Sequence, residues 1–244
     1  MNGTHGGGYA VSAEFYDLLQ AETDRRLAER RFGPAAARAR RAVLDVGAGT
    51  GIVTEVLLHT SGVPVHAVEP APAMRAALAS RLAHLGADQR ARVTVHPETL
   101  EAAGLTEIAD LAVASNVIAC LDPATRRTTW KAIAAALVPG GLLLFDPPPD
   151  HLPDRPEPAI RLGPVRVGPD HYSADVTRHP HRGVLQAVFV YRVERDGEVL
   201  REEQETFNLW PAPAERLTEE LASAGLHLVR APSTGLMAAR RPAA

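Results

Sequence analysis

The chain has 244 residues, of which 45% are hydrophobic and 23% charged, enough apolar surface to bury a core and too much for an intrinsically disordered protein. A formal net charge of -3 argues against a broad surface for a phosphate backbone, and the single cysteine, Cys120, excludes a disulfide framework and a multi-cysteine metal site. The start lacks the basic-then-apolar order of a signal peptide and no stretch approaches the roughly 18 apolar residues of a membrane span, so the expectation is a cytoplasmic protein with neither nucleic acid nor membrane as partner.

Residues 1–8 read as a disordered tail. Residues 12–31 follow a helical pattern, with Ser12 as N-cap and Phe15, Leu18, Leu19 and Leu27 at helical spacing. Residues 42–46 form a short apolar run closed by Gly47, a buried strand feeding a glycine turn, and residues 52–59 continue as an apolar helix. A second strand is expected at 63–68, a second helix at 73–85, a third strand at 93–96 and a fourth at 111–114. A helix over 126–137 ends before Pro139, Gly140 and Gly141, and a fifth strand follows at 142–145. This alternation predicts an α/β fold with a parallel sheet covered by helices on both faces.

The rhythm changes at Asp146. The proline-rich segment 147–169 reads as loop. Residues 183–193 and 199–209 have strand composition around Asp196-Gly197, a hairpin turn signal, and so read as an inserted antiparallel β region. A helix at 214–224 and a short pair of strands at 226–229 and 236–239 close the chain.

The chemistry concentrates in Val43-Leu-Asp-Val-Gly-Ala-Gly-Thr-Gly51. Glycines at 47, 49 and 51 let backbone N–H groups approach a ligand, and the following helix start adds partial positive charge. The dinucleotide pattern Gly-x-Gly-x-x-Gly fails because the third glycine falls one residue early, and no Gly-Lys-Ser/Thr phosphate loop is present. Glu69, at the end of the second strand within Ala67-Val-Glu-Pro70, can accept both hydroxyls of a ribose. Together these make a nucleoside site.

At these residues the sequence resembles the class I S-adenosylmethionine-dependent methyltransferases of small-molecule type, over residues 41–146 and the closing segment 214–240. The resemblance implies a Rossmann-like seven-stranded sheet with its last strand antiparallel, and S-adenosyl-L-methionine as cofactor. It implies that Asp45, Gly47, Ala48 and Gly49 hold the methionine portion, that Glu69 with Pro70 holds the ribose, and that Met74 packs on adenine. Glu98 and Thr99 stand where the family binds the adenine amino group, although Pro97 replaces its usual glycine. Ser115 and Asn116 stand where the backbone meets the methionine ammonium. Tyr16, within Phe15-Tyr16-Asp17, resembles the Tyr-Asp of an N-terminal helix that closes over the cofactor. The expected division is an N-terminal helical cap at 1–40, the cofactor core at 41–146, an inserted β-rich lid at 147–213 and the C-terminal part of the core at 214–244.

The resemblance implies transfer of a methyl group to nitrogen or oxygen of a small metabolite, in natural-product tailoring. Alternatives are a cofactor-binding protein of the same fold without methyl transfer, and a nicotinamide-dependent oxidoreductase. Displacement at a sulfonium needs alignment above all, and an amine with a free lone pair needs little base. The base candidates are His151, His171, Tyr172 and His179; each histidine taken alone reads as a surface residue. His179-x-His181 could mimic a metal pair, but no supporting cluster is seen and no metal is expected. Asp146-Pro-Pro-Pro lacks the aromatic of the amino-methylating nucleic-acid motif and follows the wrong strand. The inserted hairpin offers a lid, a homodimer interface or both, with Phe189 and Tyr191 on one face by period two.

Overall fold

The computed structural model describes residues 9–243, so the tail expected at 1–8 lies outside it. Helix α1 (Ser12–Ala36) leads into the first half of a sheet: β1 (Val43–Val46), α2 (Ile52–Thr60), β2 (Val65–Val68), α3 (Pro72–Ala83), the short α4 (Ala87–Arg90) and β3 (Val93–His96). The second half follows as α5 (Leu100–Ala103), β4 (Ala109–Ala114), a 3-10 turn (Ile118–Cys120), α6 (Pro123–Ala136) and β5 (Leu137–Phe145). After the added strands described below, α7 (Ala214–Ser223), β10 (His227–Val229) and β11 (Met237–Arg240) complete the chain.

The seven strands lie in the order β10-β11-β5-β4-β1-β2-β3. β1 pairs parallel with β2 and β4, and β11 runs antiparallel to β5 and β10, as the resemblance implied. β1 is buried along its whole length because helices cover both faces. On one side Phe32, Val56, Leu57, Leu78 and Leu144 join α1, α2 and α3 to the sheet; on the other Leu44, Trp130, Ile133, Phe145 and Leu221 join α6 and α7. Strand order reverses between β1 and β4, and at such a point the two diverging connections open a crevice at the carboxyl ends of the strands. Gly47 after β1 and Ser115 after β4 flank it.

The inserted region departs from its reading as a loop and one hairpin. It is a four-stranded antiparallel sheet, β6 (Ile160–Val167), β7 (Asp170–His181), β8 (Val184–Arg195) and β9 (Glu198–Leu209), paired in chain order. β6 escaped the composition reading because Gly163 and Pro164 interrupt it; they sit where its register with β7 shifts, on an edge strand that tolerates a missing N–H. β7 escaped because its polar side chains include Asp175, Arg178 and His179, which suit a half-solvated strand.

Helix α1 also differs from its sequence reading. It runs past Arg31 and through Pro34 to Ala36, and Ser12 is its first helical residue, with Val11 in the capping position. A strand of the added sheet supplies the cap instead: Glu205 Oε2 accepts the Ser12 N–H at 2.8 Å and also takes the Ser12 hydroxyl, whose Oγ lies 2.8 Å from Tyr191 Oη. Phe15 buries itself against Ala174, Tyr191 and Val193, so the first turns of α1 seat the added sheet while its later turns pack on the core.

Candidate active site

The turn after β1 is built from three glycines with positive φ: 71° at Gly47, 57° at Gly49 and 86° at Gly51. A Cβ on Gly47 would stand 2.7 Å from Val117, so only glycine lets the turn after β4 close on it. A Cβ on Gly49 would meet nothing within 4 Å: the turn opens there onto free space, as a cradle for a ligand requires. Ala48 is buried beneath.

Asp45 is only 1% exposed. Its Oδ2 accepts the Thr54 hydroxyl at 2.6 Å, while Oδ1 is buried without a partner. Burial pushes its carboxyl up to about 7, with a smaller contribution from the Glu69 charge and an opposing one from Thr54. An orphaned carboxylate oxygen in such a place suits a cation brought by a ligand. Glu69 is also buried; its Oε2 accepts the Gly49 N–H and its Oε1 the Ala71 N–H, both at 2.8 Å. Burial raises the Glu69 carboxyl, and these two N–H groups and Arg75 oppose the rise. Each oxygen keeps a lone pair for a ribose hydroxyl. The orphaned oxygen, the open cradle and the spare lone pairs fit a nucleoside that carries a cationic amine.

The other expected contacts take varied places. Met74 is buried in the first turn of α3, just after the exposed Pro70. Glu98 is exposed beyond β3, and the Thr99 hydroxyl caps α5. Ser115 and Asn116 converge on Asp146: Ser115 Oγ donates to Asp146 Oδ2 at 3.0 Å and the Asn116 N–H at 3.1 Å, with Arg31 Nη1 on Oδ1 at 2.5 Å. Tyr16 donates its hydroxyl to Asp24 at 2.8 Å, and burial holds the phenol well above its usual range.

The four base candidates do not come together. The His151 side chain is 83% exposed, with Nδ1 3.7 Å from Asp150. His171 and Tyr172 lie at one end of β7 and His179 near the other, about 27 Å apart at ~3.4 Å per residue. Tyr172 packs its ring 5.6 Å from Phe15, and the His179 ring stands 6.5 Å from that of His181. Among the described residues no group of three or more histidines, cysteines or acids could hold a metal ion.

Two residues belong to this place that the sequence reading gave no role in it: Tyr9, which it did not mention, and Asp146, which it read as the start of a loop. Tyr9 stacks on Phe207 of β9 with ring centroids 5.0 Å apart and hydrogen-bonds Cys120, and burial raises its phenol, helped by Cys120, Glu69 and Glu205. It thus spans the added sheet, the turn after β4 and the surroundings of Glu69. Asp146 fixes the Ser115–Asn116 turn from the end of the neighbouring strand β5. The only sequence signal for either was position: an aromatic just before a helix, and an acid at a strand's carboxyl end.

Residues 44–143 match the family model described as a methyltransferase domain. No curated protein matches the sequence closely enough to count as a relative. Among solved structures, the chain is similar to CalS10, an amino pentose methyltransferase from Micromonospora echinaspora involved in calicheamicin biosynthesis, solved with S-adenosylmethionine bound, at 23% identity, 96% coverage of each chain and a TM-score of 0.70. It is similar to the sugar N-methyltransferase KedS8 from Streptoalloteichus at 24% identity, over 99% of this chain and 96% of that one, with a TM-score of 0.70. The methyltransferase CcbJ from Streptomyces caelestis matches at 20% identity, over 98% of each chain, with a TM-score of 0.72. Residues 44–143 thus match a methyltransferase domain, and the seven-stranded sheet that they help to build has the Rossmann-like methyltransferase fold.

Proposed function

We propose that the protein moves the methyl group of S-adenosylmethionine to an amino nitrogen of a small metabolite, an amino sugar in natural-product tailoring. The observation that carries this reading is the four-stranded sheet seated by α1 on the strand ends that hold the cofactor turn. Phe207, with Tyr9 stacked on it, and Phe189, with its ring 5.6 Å from Phe207, offer aromatic surface for a sugar-sized acceptor. The names of the similar proteins, an amino pentose methyltransferase and a sugar N-methyltransferase, support the same class of acceptor.

The cofactor supplies an activated methyl on a sulfonium whose departure leaves a neutral thioether. In this reading Asp45 accepts the cofactor's ammonium on its orphaned oxygen, and Glu69, with the Pro70 segment, accepts the ribose hydroxyls. Gly47, Ala48 and Gly49 give the backbone room, and Ser115 and Asn116 present backbone on the opposite wall. Met74 covers adenine, and Glu98 and Thr99 stand at its amino edge. Tyr16 and the start of α1 close the top. His151, His171, Tyr172 and His179 are too scattered to act together, so the site works by alignment, which can lower a barrier by up to about 7–11 kcal/mol. A neutral amine brings its own lone pair, so no positioned base is needed.

The test is turnover with paired acceptors. Incubated with S-adenosylmethionine, the protein should convert amino sugars to N-methyl products and release S-adenosylhomocysteine, while the matching hydroxy sugars stay unchanged by mass spectrometry. Methylation of the hydroxy sugars alone would move the reading to oxygen transfer. Binding of S-adenosylhomocysteine without turnover of any acceptor would favour a cofactor-binding protein, and tighter binding of NAD would favour an oxidoreductase.

A further inference from the structure

Behind the cofactor turn, five residues form one hydrogen-bonded network. Arg81 of α3 donates from Nε to the Thr50 carbonyl at 2.9 Å, from Nη1 to Glu55 Oε2 at 2.9 Å and from Nη2 to Asp17 Oδ2 at 2.5 Å. The Thr50 hydroxyl donates to the other Asp17 oxygen at 2.6 Å. Arg25 Nη1 extends the network from Glu55 Oε1 at 2.8 Å. Asp17 and Arg25 stand about two turns apart on one face of α1, so the network pins that helix at two points to α2, α3 and the turn. A Cβ on Gly51 would lie 2.5 Å from Leu78 and 3.4 Å from the Arg81 Cδ, so it is a bare glycine that lets α3 come this close.

A turn with three glycines of positive φ has unusual freedom and does not hold its own shape cheaply. Something outside it must fix the bend that aims Gly49, and the only side chain with polar atoms between Gly47 and Gly51 is Thr50. Asp17 and Arg81 grip Thr50 at its hydroxyl and its carbonyl. A planar guanidinium serves three acceptors in three fixed directions, which a lysine ammonium on a flexible stem does not reproduce.

We propose that Asp17 and Arg81 are positioning residues of the cofactor site: acting through Thr50, they hold residues 47–51 in their ligand-ready bend and join that bend to α1. The inference rests on reading this turn as the cofactor site. It gives Asp17 of the Tyr-Asp pair a role separate from any contact with the cofactor. Because Ser12 of the same helix is held by Glu205 and Tyr191, the joint also links the added sheet to the turn.

The experiment compares the full chain with Asp17→Asn and Arg81→Lys in two measurements. Hydrogen exchange without ligand should show residues 47–51 exchanging at least tenfold faster in both variants, with β4 and β5 unchanged. Calorimetry should show S-adenosylhomocysteine binding at least fivefold weaker in both. Adding Thr50→Val to Asp17→Asn should weaken binding by less than twofold more, since both act on one link. Exchange and affinity within twofold of wild type in both variants overturn the proposal, and so does faster exchange spread evenly over the core, which marks a merely structural role. Failure of the wild-type protein to bind S-adenosylhomocysteine counts against the proposed function, and the ligand-free exchange then still decides whether the joint holds the turn.

Discussion

The two sheets of this molecule solve burial differently. In the seven-stranded sheet the central strands are short and covered on both faces, and Val43, Leu44 and Val46 are buried without regard to parity. In the four-stranded sheet β7, β8 and β9 each run for 12 residues with two unlike faces. The face toward α1 carries Ala174, Tyr191 and Val193. On the other face Asp175 pairs with Arg161 at 3.3 Å and with Arg192, and Arg192 pairs with Glu202 at 2.6 Å, an ion-pair ladder across four strands. In the proposed reading one sheet holds the cofactor by backbone shape at its strand ends, and the other presents side chains on a face. Changes in the first should strike cofactor binding, and changes in the second should strike acceptor choice.

The sharpest way to break this contrast is Gly49→Val. The added side chain fills the open cradle, so S-adenosylhomocysteine binding should drop by more than about 100-fold, while the strain at positive φ costs the fold only about 1–2 kcal/mol. Calorimetry beside a thermal melt checks both, and normal affinity would remove the cradle from the account. Glu69→Ala should weaken the same binding by about 1–3 kcal/mol, the usual worth of hydrogen bonds to a charged acceptor. An unchanged dissociation constant would deny Glu69 its ribose.

Asp45 offers a test by pH. Its folded carboxyl titrates at about 7, above its ordinary 3.8, so the folded protein is favoured by protonation and loses that advantage as pH rises from about 4 toward 7. A cationic ligand prefers the ionised form, so S-adenosylhomocysteine affinity should rise about tenfold between pH 6 and 8, flattening above 7. Asp45→Asn should erase that dependence and raise the ligand-free melting midpoint at pH 8. A flat wild-type profile would show that the orphaned oxygen meets no cation.

On the other sheet, Phe207→Ala removes two ring contacts, with Tyr9 and Phe189, each worth about 0.5–1.5 kcal/mol. Those contacts are lost from stability, and in the proposed reading the kcat/KM for the acceptor should fall while cofactor affinity stays within twofold; a matching loss in both would erase the division of labour. The smallest effect belongs to the ladder. Arg192→Ala should cost less than about 1 kcal/mol of stability, because its partner Glu202 is half solvated and exposed pairs are weak. A larger drop in denaturant midpoint would make that face more than a solvated surface.

The local elements of the core were legible because each is specified within a few residues. Residues 42–46 are too apolar to be anything but buried, the glycines at 47, 49 and 51 demand a special turn, and Glu69 follows at a strand end. β6 and β7 stayed hidden because a strand with a polar face, a proline and a bulge differs from loop only through the neighbours that complete its hydrogen bonds. Tyr9 and Asp146 stayed hidden because each acts through partners far along the chain: Phe207, Cys120, Ser115 and Arg31.

By itself, then, the sequence determined the alternation of strands and helices, the glycine turn and the acid beside it, since backbone φ demands and the hydrophobic period are local. Tertiary structure alone decided that Glu205 caps α1, that Asp17 and Arg81 meet at Thr50, and that the four base candidates stand apart. Those are contacts between residues that chain separation keeps independent until the sheets pack, and only the packed molecule settles which side chains share a place.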